Sequence, residues 1–364
     1  MSRRKKVLLD LYNLATPNCG FGQIAINYAK LFAEIQRART AGFDIAFLLP
    51  NSYRHKSLKE FDGVECFFKE TTLHHMFHII PNQLPKVDLW HSINQFCEVY
   101  PQSPNTKLLF TIHDLNYLFE ESPQTVAKLS KQMQQRIDQA SCVTFISNFS
   151  YQLSRLHLNL RGKDTRVIYN GVEGLVDKPM EKPFFVKEGK PFFFCIGQFM
   201  PKKNFHLLLD VMKHFPDREL YICGESHTEY GLKMFKRINE EKIQNVTIVN
   251  TIPDTERVWL FANCEAYLFP SIGEGFGLPL IEAMQFGKPV FCSEAQSLPE
   301  IGNGYAYIWH TLETNQMVQT MKENLDNHDK DQESIQRMKD YAMSFSYKKH
   351  IDSYLALYRE LLGS

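Results

Sequence analysis

Short apolar runs alternate with longer segments of helical periodicity along almost the whole chain, and this alternation constrains the fold more than any other feature. Strand-like runs fall at Lys6–Leu11, Asp44–Leu49, Leu89–His91, Lys107–Ile112, Cys142–Ile146 and Arg166–Tyr169. A second series follows at Phe192–Ile196, Glu219–Cys223, Val246–Val249, Ala266–Phe269 and Pro289–Cys292. Between them lie helical patterns, among them Gln23–Gln36, Ser122–Ala140, Phe205–His214 and Pro279–Phe286. Such alternation predicts parallel sheets with helices on both faces. The unbroken apolar runs fit strands buried on both sides.

The pattern breaks once. Residues 174–191 contain Lys178-Pro179, Lys182-Pro183 and Lys190-Pro191, a loop composition that predicts a linker between two α/β halves. The expected division is a first domain over 1–173, the linker at 174–191, a second domain over 192–345, and a final helix over 346–364. That helix repeats apolar residues at Ile351, Tyr354, Leu355, Tyr358, Leu361 and Leu362. In open α/β sheets, ligands bind in the crevice at the carboxyl ends of the strands, so the site is expected in a cleft between the halves.

Composition narrows the function classes. Lys+Arg and Asp+Glu both number 41, which argues against a dedicated nucleic-acid binder. Residues 1–60 carry a local basic excess, compatible with an anionic membrane surface and, more simply, with a solvated basic face. There is no stretch of eighteen apolar residues, so no membrane span is expected. The charged start, Met1-Ser-Arg-Arg-Lys-Lys, is followed by too short an apolar run for an export signal and reads as the lead-in to a first strand. The eight cysteines form no CxxC pair and several sit inside apolar segments; they read as buried small hydrophobes of a cytoplasmic protein. His74 and His78 share a helical spacing, but no Glu follows the first histidine, so the zinc-protease pattern is absent.

The most informative stretch is Ser271-Ile-Gly-Glu-Gly-Phe-Gly-Leu-Pro-Leu-Ile-Glu282. Its glycines permit tight turns and close approach of a ligand. Pro279 sits where a helix would start, so the loop delivers free N–H groups at a helix N-terminus, a site for anionic or hydroxyl-rich ligands. Glu274 and Glu282 are eight residues apart, spaced to reach two parts of one ligand.

The string EGFGLPLIE resembles the signature of the retaining glycosyltransferases of family 4, glycosyl transferases group 1, which have the GT-B fold. Further segments agree in order. Phe194-Cys-Ile-Gly197-Gln-Phe-Met-Pro-Lys-Lys203-Asn204 is similar to the family's strand, glycine and lysine. Val167-Ile-Tyr-Asn170-Gly171-Val172 resembles its interdomain segment, and Thr111-Ile-His113-Asp114-Leu115 a strand end bearing His-Asp. Ser147-Asn-Phe-Ser150 resembles its Ser-x-x-Ser turn. Cys19-Gly20-Phe-Gly22 resembles the glycine loop after the first strand, and Phe345-Ser346-Tyr347 the crossing into the last helix.

The resemblance implies two Rossmann-like, doubly wound parallel-sheet domains facing across a cleft. The last helix would pack back on the first, acceptor-side domain; the second would bind the nucleotide sugar. Glu274 would contact the donor sugar, and Glu282 the ribose hydroxyls. Lys203 would pair with the diphosphate, and the backbone of Phe276, Gly277 and Leu278 would bind sugar or phosphate oxygens. Thr251 and Ile252 would grip the base, Gly20 and Gly22 would let the first loop close on the diphosphate, and His113 would approach the sugar. Gln198 stands where the family usually has Arg, replacing a planar cationic fork by one neutral amide.

The implied reaction is metal-independent transfer, with retention, of mannose or another hexose. The donor is a GDP- or UDP-linked sugar, which is a substrate; no cofactor is implied. The acceptor is a glycan or lipid-linked glycan in surface polysaccharide or lipopolysaccharide synthesis. The enzyme would work in the cytoplasm, with peripheral contact at the inner membrane surface compatible with it. Gln198 keeps a noncatalytic nucleotide-sugar-binding subunit open, and a nucleotide-sugar epimerase is the rival within GT-B enzymes. A dinucleotide dehydrogenase is disfavoured, because no GxGxxG follows the first strand.

Overall fold

A computed structural model describes residues 3–16, 20–69, 86–97, 99–101, 103–328 and 330–363. The paired histidines at 74 and 78 and Cys19 lie outside them. The chain divides into two compact units, residues 1–169 with 350–364, and residues 170–349.

The first unit is built on a seven-stranded parallel sheet. Its strands are β1 (Lys6–Asp10), β2 (Asp44–Pro50), β3 (Glu65–Lys69), β4 (Leu89–Ser92), β5 (Lys107–Ile112), β6 (Cys142–Phe145) and β7 (Asp164–Val167), in spatial order β3-β2-β1-β4-β5-β6-β7. Neighbours in β1 face opposite ways, as the two-residue strand period requires. Val7 and Leu9 enter one core cluster and Leu8 the other. The first face is covered by the Gly20–Ala38 helix, which buries Ile24, Ala25, Tyr28 and Phe32, and by the final helix, Tyr347–Leu362, which buries Ile351, Tyr354, Leu355, Tyr358 and Leu361. The second face is covered by the Pro123–Gln139 helix, whose start is set by Pro and by the Ser122 side chain capping the N–H of Thr125.

The second unit holds a six-stranded parallel sheet. Its strands are β8 (Phe192–Ile196), β9 (Glu219–Cys223), β10 (Val246–Val249), β11 (Ala266–Phe269), β12 (Val290–Ser293) and β13 (Tyr307–Trp309), in order β10-β9-β8-β11-β12-β13. Trp309 is core, stacked against Phe291 with its indole N–H donating to Met317 O. Trp259 is only half-buried and lies parallel to Phe192. Residues 174–191, expected as a linker, are tied into this second unit. The Leu175 N–H donates to Gln285 Oε1, the Lys187 N–H donates to the Tyr221 hydroxyl, and Lys187 and Lys190 both pair with the buried Glu219.

Two strands escape the apolar-run reading, β3 and β13, and β7 begins two residues before the expected run. All three lie at sheet edges, where pairing on one side only demands less apolar surface. The polar Asp164-Thr-Arg of β7 is paired, whereas the apolar Ile168-Tyr169 beyond it is not in the strand.

The basic excess of residues 3–6 is largely consumed internally. Arg3 and Lys5 pair with Asp88, Arg4 with Asp44, and Lys6 with Glu65. Among the described residues no helix is long and apolar enough to cross a membrane. Six of the seven described cysteines are buried and all seven are free.

Candidate active site

Each sheet has one place where the chain reverses the direction in which it adds strands, and in open α/β sheets ligands bind beyond the carboxyl ends of the strands there. In the second unit that point lies between β8 and β11. The loops that leave these strands carry Lys203 and Glu274, and they are braced together. The Ile272 N–H donates to Lys202 O at 2.8 Å, and the Ser271 hydroxyl donates to the same carbonyl. Ser297 donates to Glu274 O at 2.8 Å and to Phe276 O at 3.1 Å, fixing the loop's carbonyls on one side.

Gly277 closes the loop in the left-handed region at φ 100°, as the cap of the Leu278–Gln285 helix. A Cβ there would also meet Leu298 at 2.8 Å, so only glycine makes this turn without strain. Of the first residues of that helix, Pro279 has no N–H and Leu280 donates to Gly277 O (3.1 Å), so the Leu278 N–H is the first-turn donor without a partner among the described residues, at the positive end of the dipole. Glu274, Gly277 and Leu278 therefore stand together as the sequence suggests, with Phe276 buried behind them.

Lys203 ends the Pro201–Lys203 turn, and its Nζ lies 2.5 Å from Glu274 Oε1. Both side chains are about one-seventh exposed, at 15% and 14%. The lysine expected to meet a diphosphate and the glutamate expected to meet a sugar are thus bound to each other. Gln198 follows β8 and is exposed. Thr251 is exposed and Ile252 half-buried just past β10.

Glu282, on the first turns of its helix, is held by an arginine that motif reasoning does not find. Arg257 pairs with Glu282 Oε1 and, through the same guanidinium, with Asp254. Burial disfavours its charge, but Glu282 and Asp254 more than restore it and raise its pKa above the ordinary arginine range. The Asp254–Arg257 spacing of one helical turn is visible in the sequence; the contact with Glu282, 25 residues on, is not.

In the first unit the reversal lies between β1 and β4. Asn13, after β1, accepts a hydrogen bond from Asn94, after β4. His113, just past β5, is buried and fixed at three points. Its N–H donates to Gln95 Oε1 (3.0 Å), its carbonyl accepts from Ser150 (2.6 Å), and its Nε2 bonds Ile93 O (2.8 Å). A carbonyl partner only accepts, so Nε2 carries the proton and Nδ1 keeps its lone pair. Burial pushes the His113 pKa down to about 4 against the opposing effect of the Ile93 carbonyl, so the ring is neutral at physiological pH. The Ser147-x-x-Ser150 turn is the cap of the Asn148–His157 helix, and its second serine is the one that holds His113.

Gly20 and Gly22 depart from expectation. They do not form a loop; Gly20 opens the Gly20–Ala38 helix and Gly22 lies in its first turn, because the Gln-Ile-Ala-Ile run that follows carries helical order back to Gly20. Phe21 between them packs edge-on against His113 at 4.8 Å, so the glycine segment and the histidine do share one neighbourhood. Among the described residues no group of three or more His, Cys, Asp or Glu could hold a metal ion.

Residues 177–345, nearly the whole second unit, match the model of the glycosyl transferases group 1. That segment belongs to this family. Among curated relatives of the chain, the O-antigen chain mannosyltransferase RfbU of Salmonella typhimurium is 30% identical over 156 residues, 41% of this chain and 41% of that protein. The O-antigen chain mannosyltransferase B of Escherichia coli is 48% identical over 113 residues, 29% of each. The chain spans less than half the length of either relative. The sucrose-phosphate synthase of Thermosynechococcus elongatus superposes with a TM-score of 0.76 at 17% identity, over 99% of this chain and 100% of that one. With two doubly wound parallel sheets, this gives the GT-B fold that the group 1 segment implies.

Proposed function

We propose that the chain is a retaining, metal-independent glycosyltransferase of surface polysaccharide synthesis. It moves mannose or another hexose from a GDP- or UDP-linked donor to a hydroxyl of a glycan or lipid-linked glycan. The second unit takes the donor and the first the acceptor. The observation that carries the reading is the pair of carboxylate–cation contacts, Lys203–Glu274 and Arg257–Glu282, set around one helix N-terminus inside the group 1 segment. The O-antigen relatives support the polysaccharide setting.

The chemistry follows from exchange of partners. A diphosphate arriving at the Leu278 helix terminus draws Lys203 off Glu274. The lysine, the Leu278 N–H and the positive end of the helix then stabilise the charge that grows on the leaving phosphate. Glu274, released, accepts from a sugar hydroxyl, and Glu282 accepts from the ribose. Thr251 and Ile252 lie along the base, and the backbone at Phe276 and Gly277 meets sugar or phosphate oxygens. From the first unit, the lone pair of His113 Nδ1 accepts from another sugar hydroxyl. The bond from the anomeric carbon to the phosphate oxygen breaks as the acceptor oxygen bonds the same face, and the acceptor proton passes to the leaving phosphate. Gln198 contributes an amide where a cation would add to phosphate binding, leaving that role to Lys203 and the helix terminus.

Incubation with GDP-mannose or UDP-glucose and lipid-linked glycan acceptors, with the anomeric configuration of the product read by NMR, tests this. An α-linked product from an α-linked donor, at a rate unchanged by EDTA, is expected. An inverted product, an epimerised donor, or nucleotide bound without transfer to any acceptor contradicts it.

A further inference from the structure

Glu282 does not stand alone. Its Oε1 is taken by Arg257, and its Oε2 has no hydrogen-bond partner among the described residues. Both side chains are less than one-fifth exposed, at 13% and 18%. Arg257 is in turn anchored by Asp254, one turn earlier on the Asp254–Asn263 helix, through both Nε and Nη2. Asp254 also pairs with Lys178 at 3.2 Å, and Lys178 with Glu173 at 2.6 Å. The guanidinium is thus gripped from behind and presents Glu282 in one orientation with one oxygen left over. A carboxylate whose first oxygen is engaged by a fixed cation offers the second to hydroxyl donors.

We infer that Arg257 is a positioning residue for ribose recognition, holding Glu282 so that its Oε2 meets the ribose diol of the nucleotide. This rests on the proposed donor site. Removing the guanidinium frees the Glu282 rotamer and leaves a partly buried, uncompensated negative charge. Removing only the ribose hydroxyls removes what Glu282 binds. The two changes should therefore overlap rather than add, which a purely structural role for Arg257 does not require.

The test is binding of UDP and GDP, and of their 2′,3′-dideoxy counterparts, to the full chain and to Arg257→Met and Arg257→Lys, with the melting curve of each recorded. In the unaltered protein the ribonucleotide should bind about tenfold or more tightly than the dideoxy form, the loss expected when a charge-assisted pair is broken. Arg257→Met should weaken the ribonucleotide by a similar factor and the dideoxy form little, so the discrimination collapses. Arg257→Lys, which keeps the cation, should retain part of it. Undiminished discrimination in a folded Arg257→Met protein overturns the inference alone. Should that variant not fold, full discrimination by Arg257→Lys with an unchanged Kd overturns it, because a lysine point charge does not reproduce the two-sided fork. If the unaltered protein binds neither nucleotide, the donor site itself is wrong and the inference falls with it.

Discussion

Lys203 and Glu274 illustrate how two residues can be legible one by one and illegible as a pair. The motif EGFGLPLIE and the Gly-x5-Lys spacing locate each, but their 2.5 Å contact depends on loops leaving β8 and β11, strands 70 residues apart in the chain. The contact predicts partner exchange. Glu274→Ala should lower transfer by about 10² or more, the scale of losing one preorganised electrostatic contact. The fold should survive with a melting temperature lowered by several degrees, since Lys203, only 15% exposed, is left without its carboxylate partner. Steady-state kinetics and a melting curve on one sample check both halves; transfer at the unaltered rate contradicts the role. Arg257 is the residue that sequence reading misses. Its one-turn spacing from Asp254 is readable, but its contact with Glu282 is not, because that partner belongs to another helix.

At the scale of elements, central strands announce themselves and edges do not. β5, β8, β9, β10 and β11 coincide with the apolar runs, all but β10 interior to their sheets. β13 is only the three residues Tyr307–Trp309, and the Cys-Phe-Phe of β3 is bracketed by Glu65 and Lys69, so neither run is long enough to stand out. Turn chemistry at strand ends is also hidden. Gly224, after β9, has φ 137°, and a Cβ there would lie 2.0 Å from Gly197 O, the residue that follows β8. Gly224→Ala must therefore part the ends of the two strands beside the site. A loss of soluble protein, or a stability loss of more than about 3 kcal/mol, is expected from overpacking of this severity. A soluble variant with an unchanged denaturation midpoint would show the strand ends to be looser than described. The final helix gives a milder case. Its Tyr358 hydroxyl bonds His91 Nδ1 at 2.6 Å deep in the first unit. Tyr358→Phe should cost about 1–3 kcal/mol by leaving the buried nitrogen unsatisfied, measured by urea denaturation. No change in midpoint would contradict that bond.

Over the whole molecule, the first unit encloses three histidines that resist protonation. His113 and His350 are pushed by burial to about 4, and His91 is held well below the usual 6.5 by burial and by its neighbours His350 and His113. The folded pKa of each lies below the unfolded one. Their contribution to stability is therefore complete above about pH 6.5 and is lost as pH falls toward 4. With three groups at about 1.4 kcal/mol per pH unit each, the fall approaches about 4 kcal/mol per unit in mid-window. Melting temperature should therefore drop steeply between pH 6.5 and 5; a flat profile there would show that these rings take up protons in the folded state.

The proposed function has the second unit bind a nucleoside diphosphate sugar at the loops after β8 and β11. A thermal-shift scan of the full chain with UDP, GDP, ADP and their common sugar conjugates tests it most directly. One base, at a hundred times its dissociation constant, should add about 2.7 kcal/mol and raise the melting temperature, and Lys203→Ala should abolish most of the shift. No shift with any nucleotide, in folded protein, would contradict the account.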